Sequence, residues 1–188
     1  MFTVYGHDND IHFFEGRKDV RRCGSCGLLL AKWKEDLSAV AMPAILRLDL
    51  STSRDGIVVV SKRFRSLYDS TGMSGLLFTA VGRGGFVVQA TRIVEFDAER
   101  RGTRFIHQCD VCGQFESVVG AAPVFLIGGV AVPEMEFART DLEFGSMDEK
   151  TPMLVCGDEV ARILRQANLK GIDLESVRPG PADLDRTT

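Results

Sequence analysis

The sequence lacks the features of membrane and exported proteins. Its longest mostly apolar stretch, residues 118–132, is interrupted by glycine and proline and falls short of the ~20 residues that cross a bilayer. The N-terminal segment has neither a basic start nor an apolar run, which argues against a signal peptide. The formal net charge of −3 gives no overall attraction for nucleic acid or an anionic membrane. We therefore expect a cytoplasmic protein without membrane or nucleic-acid partners.

Residue patterns for catalysis are also scarce. The only histidines are His7, His12 and His107, and they form no Ser-His-Asp, Cys-His or two-histidine metal pattern with their neighbours. The glycine-rich residues 82–85 are not followed by the Lys-Ser/Thr and helix of a phosphate-binding loop. The sequence therefore predicts a protein that is not an enzyme.

Two copies of a C-x-x-C-G motif stand out against this background. They lie at residues 23–27, the first knuckle, and at residues 109–113, the second knuckle. Cysteines separated by two residues can direct both sulfurs to one point, and the following glycine permits the turn that brings amides toward them. Two such pairs supply the four ligands of a tetrahedral Zn²⁺ site. The predicted ligands are Cys23, Cys26, Cys109 and Cys112.

A structural zinc site competes with three other interpretations: a redox C-x-x-C pair, ordinary reduced or disulfide-bonded cysteines, and an iron–sulfur cluster. A redox motif normally occurs once and opens a helix. The knuckles are 83 positions apart (109 − 26), against roughly 15–20 in a compact zinc ribbon, so one metal would join the early chain to its middle. His107 is a candidate to replace a thiolate or to hydrogen-bond one. The fifth cysteine, Cys156, is expected to be a buried, inert thiol.

A second repeat indicates a supersecondary unit. Residues 59–81 align without gaps on residues 155–177, and apolar residues recur at i, i+3 and i+4 in both copies. Gly72 and Asn168 occupy the same position after the two predicted helices, and both residue types tolerate the left-handed conformation that ends a helix. Duplication with an insertion is one explanation, and chance recurrence of a common motif is the other. The predicted units are strand 57–60, helix 62–71 and strand 76–81, and strand 153–156, helix 159–167 and strand 172–177.

Together these patterns predict an α+β fold. Mainly antiparallel strands would surround two principal helices in the repeated strand–helix–strand unit, beside a zinc-ribbon-like element. The 188 residues, 45% of them hydrophobic, suffice for one core. We predict a single compact domain over residues 1–177 with two similar halves, about 1–97 and 98–177, and a disordered tail at 178–188.

Two charged regions are candidate contact surfaces. Residues 134–149, the acidic segment, have no ordered ligand spacing and predict a solvated face or a patch for a basic partner such as a nuclease cleft. Its carboxylates are Glu134, Glu136, Asp141, Glu143, Asp148 and Glu149. The basic residues before the first knuckle favour the alternative of a zinc-ribbon nucleic-acid-binding or regulatory module. They are Arg17, Lys18, Arg21 and Arg22.

The doubled C-x-x-C-G motif and the ending MLVCGDEV through LKGIDLESV at residues 153–177 resemble a known family. The chain is similar, from about Cys23 to Val177, to the double-CXXCG-motif family of bacterial toxin-immunity proteins, a myxobacterial type from polymorphic toxin systems. The resemblance implies zinc at the four knuckle cysteines and a protein that binds and neutralises a cognate toxin in the cytoplasm. It does not fix which residues contact the toxin.

Overall fold

The computed structural model describes residues 1–38, 46–128 and 130–178, and it has an α+β architecture rich in antiparallel strands. The predicted tail lies outside the described residues except for Arg178. The elements are β1 (Phe2–Asp8), β2 (Leu50–Thr52), β3 (Val58–Ser61), α1 (Lys62–Thr71), β4 (Leu76–Val81), β5 (Gly85–Ala90), β6 (Arg92–Val94), α2 (Ala98–Arg101), β7 (Arg104–Gln108), β8 (Phe115–Val119), β9 (Phe137–Ser146), β10 (Thr151–Cys156), α3 (Asp158–Gln166) and β11 (Ile172–Ser176).

The two principal helices, α1 and α3, lie where the sequence predicts them. The Ser61 hydroxyl accepts a hydrogen bond from the Phe64 amide (3.1 Å), which satisfies a donor that the first turn of α1 leaves without a helical partner. Gly72 ends α1 with φ +74°, and Asn168 follows α3 with φ +49°, so both adopt the expected left-handed conformation. Between them, α2 is a single turn of four residues.

In each strand–helix–strand unit, the two strands pair with a third strand that lies between them. In the first unit, β3 and β4 both pair with β5, and all these pairs are antiparallel. In the second unit, β10 and β11 both pair with β1 in the same way. The N-terminal strand therefore completes the second unit, although it precedes the first unit in the chain. The division into two similar halves stays a prediction.

Two parallel pairs connect these units. The end of β1 lies parallel to β2, and β6 lies parallel to β9. Neighbouring strands pair in the order β5–β3–β2–β1–β10–β9–β6. Because only Thr91 separates β5 from β6 in the chain, the last strand of this series lies next in sequence to the first. The hairpin β7–β8 extends the sheet from the edge of β9.

Equivalent glycines let each unit approach a neighbouring strand closely. Gly75 has φ +90°, and a Cβ there would meet the Phe137 carbonyl oxygen. Gly171 has φ +80°, and a Cβ there would meet the Leu50 carbonyl oxygen. Both positions combine a left-handed backbone with close approach to a strand, so each requires glycine.

Buried side chains form three clusters. The largest lies beneath α1 and α3 and includes Phe64, Phe137 and Leu164. A second lies around β6, β9 and β10, and a third, with Phe13 and Phe14, anchors the segment before the first knuckle. Burial of each such large apolar side chain contributes about 1.5–3 kcal/mol. No helix in the described part of the chain has the length and apolar character needed to cross a bilayer.

Candidate metal centre

The first knuckle is a tight turn closed by its own backbone. The Cys23 amide donates to the Leu28 carbonyl (2.9 Å), and the Gly27 amide donates to the Cys23 carbonyl (2.9 Å). Gly27 has φ +76°, which a residue with a Cβ adopts only at a cost. The glycine of the motif therefore makes the turn possible.

The second knuckle repeats this geometry. The Cys109 amide donates to the Gln114 carbonyl (2.9 Å), the Gly113 amide donates to the Cys109 carbonyl (2.8 Å), and Gly113 has φ +73°. This turn closes the hairpin β7–β8, whereas the first knuckle is flanked only by a single bridge between Arg22 and Leu29. The two knuckles thus have the same turn, but only the second is flanked by a regular β-hairpin.

Polar contacts join the first knuckle to the second knuckle and to the turn after β9. The Gln114 side chain donates to the Leu29 carbonyl (2.9 Å) and so joins the residue after the second knuckle to the chain after the first. Asp148 accepts hydrogen bonds from the Arg22 guanidinium (2.6 Å) and the Leu29 amide (3.2 Å). Neither Gln114 nor Asp148 was predicted to position the cysteines, because their contacts lie far away in sequence.

The four knuckle sulfurs converge on one point. Cys23 and Cys109 have sulfurs 3.9 Å apart, Cys26 and Cys112 have sulfurs 3.6 Å apart, and all four lie within 4.8 Å of one another. A tetrahedron with Zn–S bonds of about 2.3 Å requires sulfurs about 3.8 Å apart. All four are free thiols rather than disulfides. The geometry fits a four-coordinate metal ion, as the sequence predicts, and it does not identify the metal.

Backbone amides favour the thiolate form at two of these positions. The amides of Cys112 and Val111 are the main cause that lowers the pKa of Cys109 to about 6. In the first knuckle, the amide of Cys26 is the largest cause that lowers the pKa of Cys23. Amide hydrogen bonds stabilise a charged sulfur more than a neutral one. Each knuckle therefore contains one cysteine, Cys23 or Cys109, whose thiolate form is favoured.

The four thiols do not favour ionising together. The Leu28 amide lowers the pKa of Cys26, but burial and the nearby thiols of Cys109, Cys112 and Cys23 raise it to about 12 overall. Like charges this close oppose full ionisation of the group. A divalent ion at the centre would remove this repulsion and allow all four sulfurs to bind as thiolates.

Neighbouring candidates lie outside the cluster. The His107 ring faces Glu116, with Nδ1 3.2 Å from a carboxylate oxygen, and it is not one of the clustered ligands. Cys156 is fully buried in the largest core cluster, and this burial raises its pKa to about 12. Such a thiol is unreactive, as expected.

Two carboxylates of the acidic segment bind partners on other elements. Glu136 pairs with the Arg92 guanidinium (2.9 Å), and Glu143 accepts a hydrogen bond from the Trp33 ring nitrogen (2.5 Å). The segment comprises the long strand β9 and its flanks.

Two further acidic residues are also engaged. Asp141 accepts a hydrogen bond from the Phe96 amide (2.9 Å), and Asp148 binds the chain on both sides of the first knuckle. Glu134 and Glu149 are exposed and form no hydrogen bond or ion pair through their carboxylates with another described residue. These two carboxylates are therefore the unpaired ones of the acidic segment.

The basic residues before the first knuckle are partly neutralised. Arg17 donates to the Asp19 carboxylate (3.0 Å), and Arg22 pairs with Asp148 (2.6 Å). An arginine held by a carboxylate offers less charge to phosphate. The structure therefore gives no added support to a nucleic-acid interface at this position.

Comparison with known proteins adds no family assignment. No family model matches the chain, and no match was found among curated proteins.

Proposed function

We propose that Cys23, Cys26, Cys109 and Cys112 bind one structural Zn²⁺ ion within a zinc-ribbon-like element. The observation that carries this proposal is the convergence of four free sulfurs, at 3.6 and 3.9 Å within the two measured pairs. Thiolate sulfur is a preferred ligand of Zn²⁺, and four protein ligands leave no open position for water. The ion would stabilise the fold rather than take part in a reaction.

Metal content and thiol reactivity together test the zinc site. We expect one zinc per chain and no thiol that reacts with a disulfide reagent in the native protein. A chelator should expose four thiols, and a denaturant should expose the fifth, Cys156, because burial and a raised pKa protect it.

A matched pair of variants identifies the ligands. Cys109→Ser should lose the metal, because a neutral hydroxyl replaces a thiolate, while Cys156→Ser should retain it. Metal-free protein with four reactive native thiols, or zinc retained by Cys109→Ser, would contradict the assignment.

We further propose that the protein is a cytoplasmic immunity protein that binds and neutralises a cognate toxin without catalysis of its own. The resemblance of the cysteine motifs and of residues 153–177 to toxin-immunity proteins supports this function. A metal-stapled scaffold also suits an inhibitor, because rigid elements lose little entropy on binding. The acidic segment remains the proposed contact region, with Glu134 and Glu149 as its free charges.

Co-expression with the product of the adjacent reading frame tests the immunity function. We expect that product to arrest growth alone, and we expect this protein to restore growth and to co-purify with it. Charge reversal at Glu134 and Glu149 should weaken the complex, whereas reversal at Glu175 of β11, outside the acidic segment, should not. Growth arrest without rescue or complex formation would reject the proposal.

A further inference from the structure

Strand β4 forms an open edge of the sheet. It pairs with β5 along its whole length, from Leu76 to Val81, without a register shift, and no described strand pairs with its other side. The unpaired amides and carbonyls of such an edge can bind another strand, so proteins usually protect edges with charged side chains, proline or bulges. The residues of β4 therefore show whether its edge is protected.

β4 has none of these protective features. Its sequence, LLFTAV, contains no charged residue and no proline, and Leu77 is 61% exposed. The other described strands that pair on one side only each contain charge: Arg92 in β6, Arg104 in β7, and Asp173 and Glu175 in β11. Among the described strands, β4 is therefore the edge best suited to pair with another chain.

The backbone groups of β4 alternate in direction. The Thr91 amide donates to the carbonyl of the glycine just before β4 (2.8 Å). In an antiparallel ladder every second residue forms the hydrogen bonds to the neighbouring strand, so the backbone groups of Leu76, Phe78 and Ala80 point away from β5. The Leu76 amide is already bound, because it donates to the Tyr68 hydroxyl (3.1 Å). An incoming strand therefore meets both a free amide and a free carbonyl at Phe78 and at Ala80.

The open edge of β4 is complementary to itself. When a second copy lies antiparallel with Thr79 opposite Thr79, Phe78 of each copy faces Ala80 of the other, and each of these pairs exchanges both of its hydrogen bonds. This register leaves the bond between Leu76 and Tyr68 intact. The half-buried Phe78 ring then meets the exposed Ala80 methyl, so a large side chain packs against a small one across the axis.

The two ends of β4 carry opposite charge. Arg83, in the turn after β4, is exposed and forms no ion pair with a carboxylate of the described residues. At the other end, the Ser74 amide donates to the Met135 carbonyl (2.9 Å), which lies between Glu134 and Glu136. Glu136 shares its charge with an arginine of β6, whereas Glu134 is unpaired. Antiparallel pairing brings the basic end of each copy to the acidic end of the other, which favours a second copy as the partner.

We propose that β4 pairs with β4 of a second copy and so forms a two-fold dimer whose sheets join edge to edge. The axis passes between the two Thr79 residues. The proposal rests neither on the metal centre nor on the immunity function. Because the interface involves one short strand from each copy, it is small, and we expect a dissociation constant on the order of 10 µM.

Sedimentation velocity of the purified protein measures this equilibrium, with a reductant to exclude disulfide-linked dimers. We expect a change from monomer to dimer as the protein concentration rises. Thr79→Lys should weaken dimerisation about tenfold or more, because two like charges meet at the axis, and Arg83→Glu should weaken it less. Ser176→Lys, which adds the same charge at an exposed position of β11, should dimerise as the unchanged protein does.

A mixture of variants tests the two-fold axis directly. Thr79→Lys and Thr79→Glu should each be mainly monomeric, since each opposes two like charges. An equal mixture of the two should form a heterodimer, because opposite charges then meet at the axis. Thermal unfolding verifies that each variant is folded.

Hydrogen exchange of the unchanged protein decides the result if the variants do not fold. The amides of Phe78 and Ala80 should exchange more slowly above the dissociation constant than below it. The proposal is overturned if the unchanged protein stays monomeric about tenfold above the expected dissociation constant, if folded Thr79→Lys dimerises normally, or if the mixture forms no heterodimer. Protection of these two amides only in the presence of a co-expressed toxin would also overturn it and would assign the edge to that partner.

Discussion

Lys32 is a buried cation that is stabilised by hydrogen bonds and nearby carboxylates and destabilised by its removal from water. Its ammonium donates to the carbonyls of Asp148 (2.9 Å) and Lys150 (2.5 Å), which connects the segment after the first knuckle to the end of β9. Burial is the main cause that lowers its pKa from 10.5 to about 8, despite attraction by Glu143, Asp55 and Asp148. The charged form is therefore less stable in the folded protein than in the unfolded chain.

This difference predicts a pH-dependent stability. Between pH 8 and pH 10.5 the unfolded chain binds more protons at Lys32 than the folded protein does, so the free energy of unfolding rises with pH in that window. The contribution is about 3 kcal/mol at most. Denaturant unfolding of the unchanged protein and of Lys32→Met measures it, since other titrating groups are common to both. Parallel pH profiles would show that Lys32 does not contribute.

At the scale of elements, the hydroxyl of Ser61 joins helix α1 to the chain before β2. It accepts from the Phe64 amide and donates to the Asp49 carboxylate (2.7 Å). We expect Ser61→Ala to lower the free energy of unfolding by about 2 kcal/mol, since it removes a helix cap and leaves a buried carboxylate with one donor fewer. Ser70→Ala, in the exposed last turn of α1, should change it by less than about 0.5 kcal/mol. Equal effects in chemical denaturation would contradict the capping role.

The elements also show what local sequence patterns can predict. The repeated apolar spacing predicted both principal helices, and Gly72 and Asn168 predicted where they end. These signals are local, because they depend on residues within one or two helical turns. The pairing of β1 with β10 and β11 has no such local signal. It depends on which sheet edge remains open after the second unit forms, and this is a property of the whole fold.

The candidate metal site also combines features that the local sequence predicts with features that depend on distant contacts. Cysteine spacing predicted four ligands that the fold brings together, since each pair is set by one turn of the chain. The contacts of Gln114 and Asp148 that hold the first knuckle in place were not predictable. Three carboxylates of the acidic segment bind Trp33, Arg92 and the Phe96 amide. These contacts were not predictable, because their partners are distant in sequence.

At the scale of the whole molecule, the early chain is attached at two points of different kinds. Near its start, the Asp55 carboxylate accepts from the amides of Phe13 (2.7 Å) and Phe14 (2.8 Å), and both rings are buried. Near the first knuckle the attachment consists of the proposed metal site and of hydrogen bonds from Arg22, Leu29 and Lys32 to Asp148, with one isolated strand bridge beside them. Residues 11–38 contain one short 3₁₀ turn at Lys32–Lys34 as their only helix or strand. The stability of this segment should therefore differ along its length.

Removal of the metal should consequently loosen the molecule locally. We expect hydrogen exchange after chelation to accelerate in residues 20–30 and in the hairpin β7–β8, because the ion that would join the two knuckles is lost and few hydrogen bonds hold the first knuckle in place. The amides of Phe13 and Phe14 and the pairs between β1 and β10 should keep their protection, because their contacts do not involve the cysteines. Added Zn²⁺ should restore the original exchange rates, and Cys156→Ser should behave as the unchanged protein does. Uniform acceleration across all strands would instead mean that the metal stabilises the whole fold rather than the attachment of its early segment.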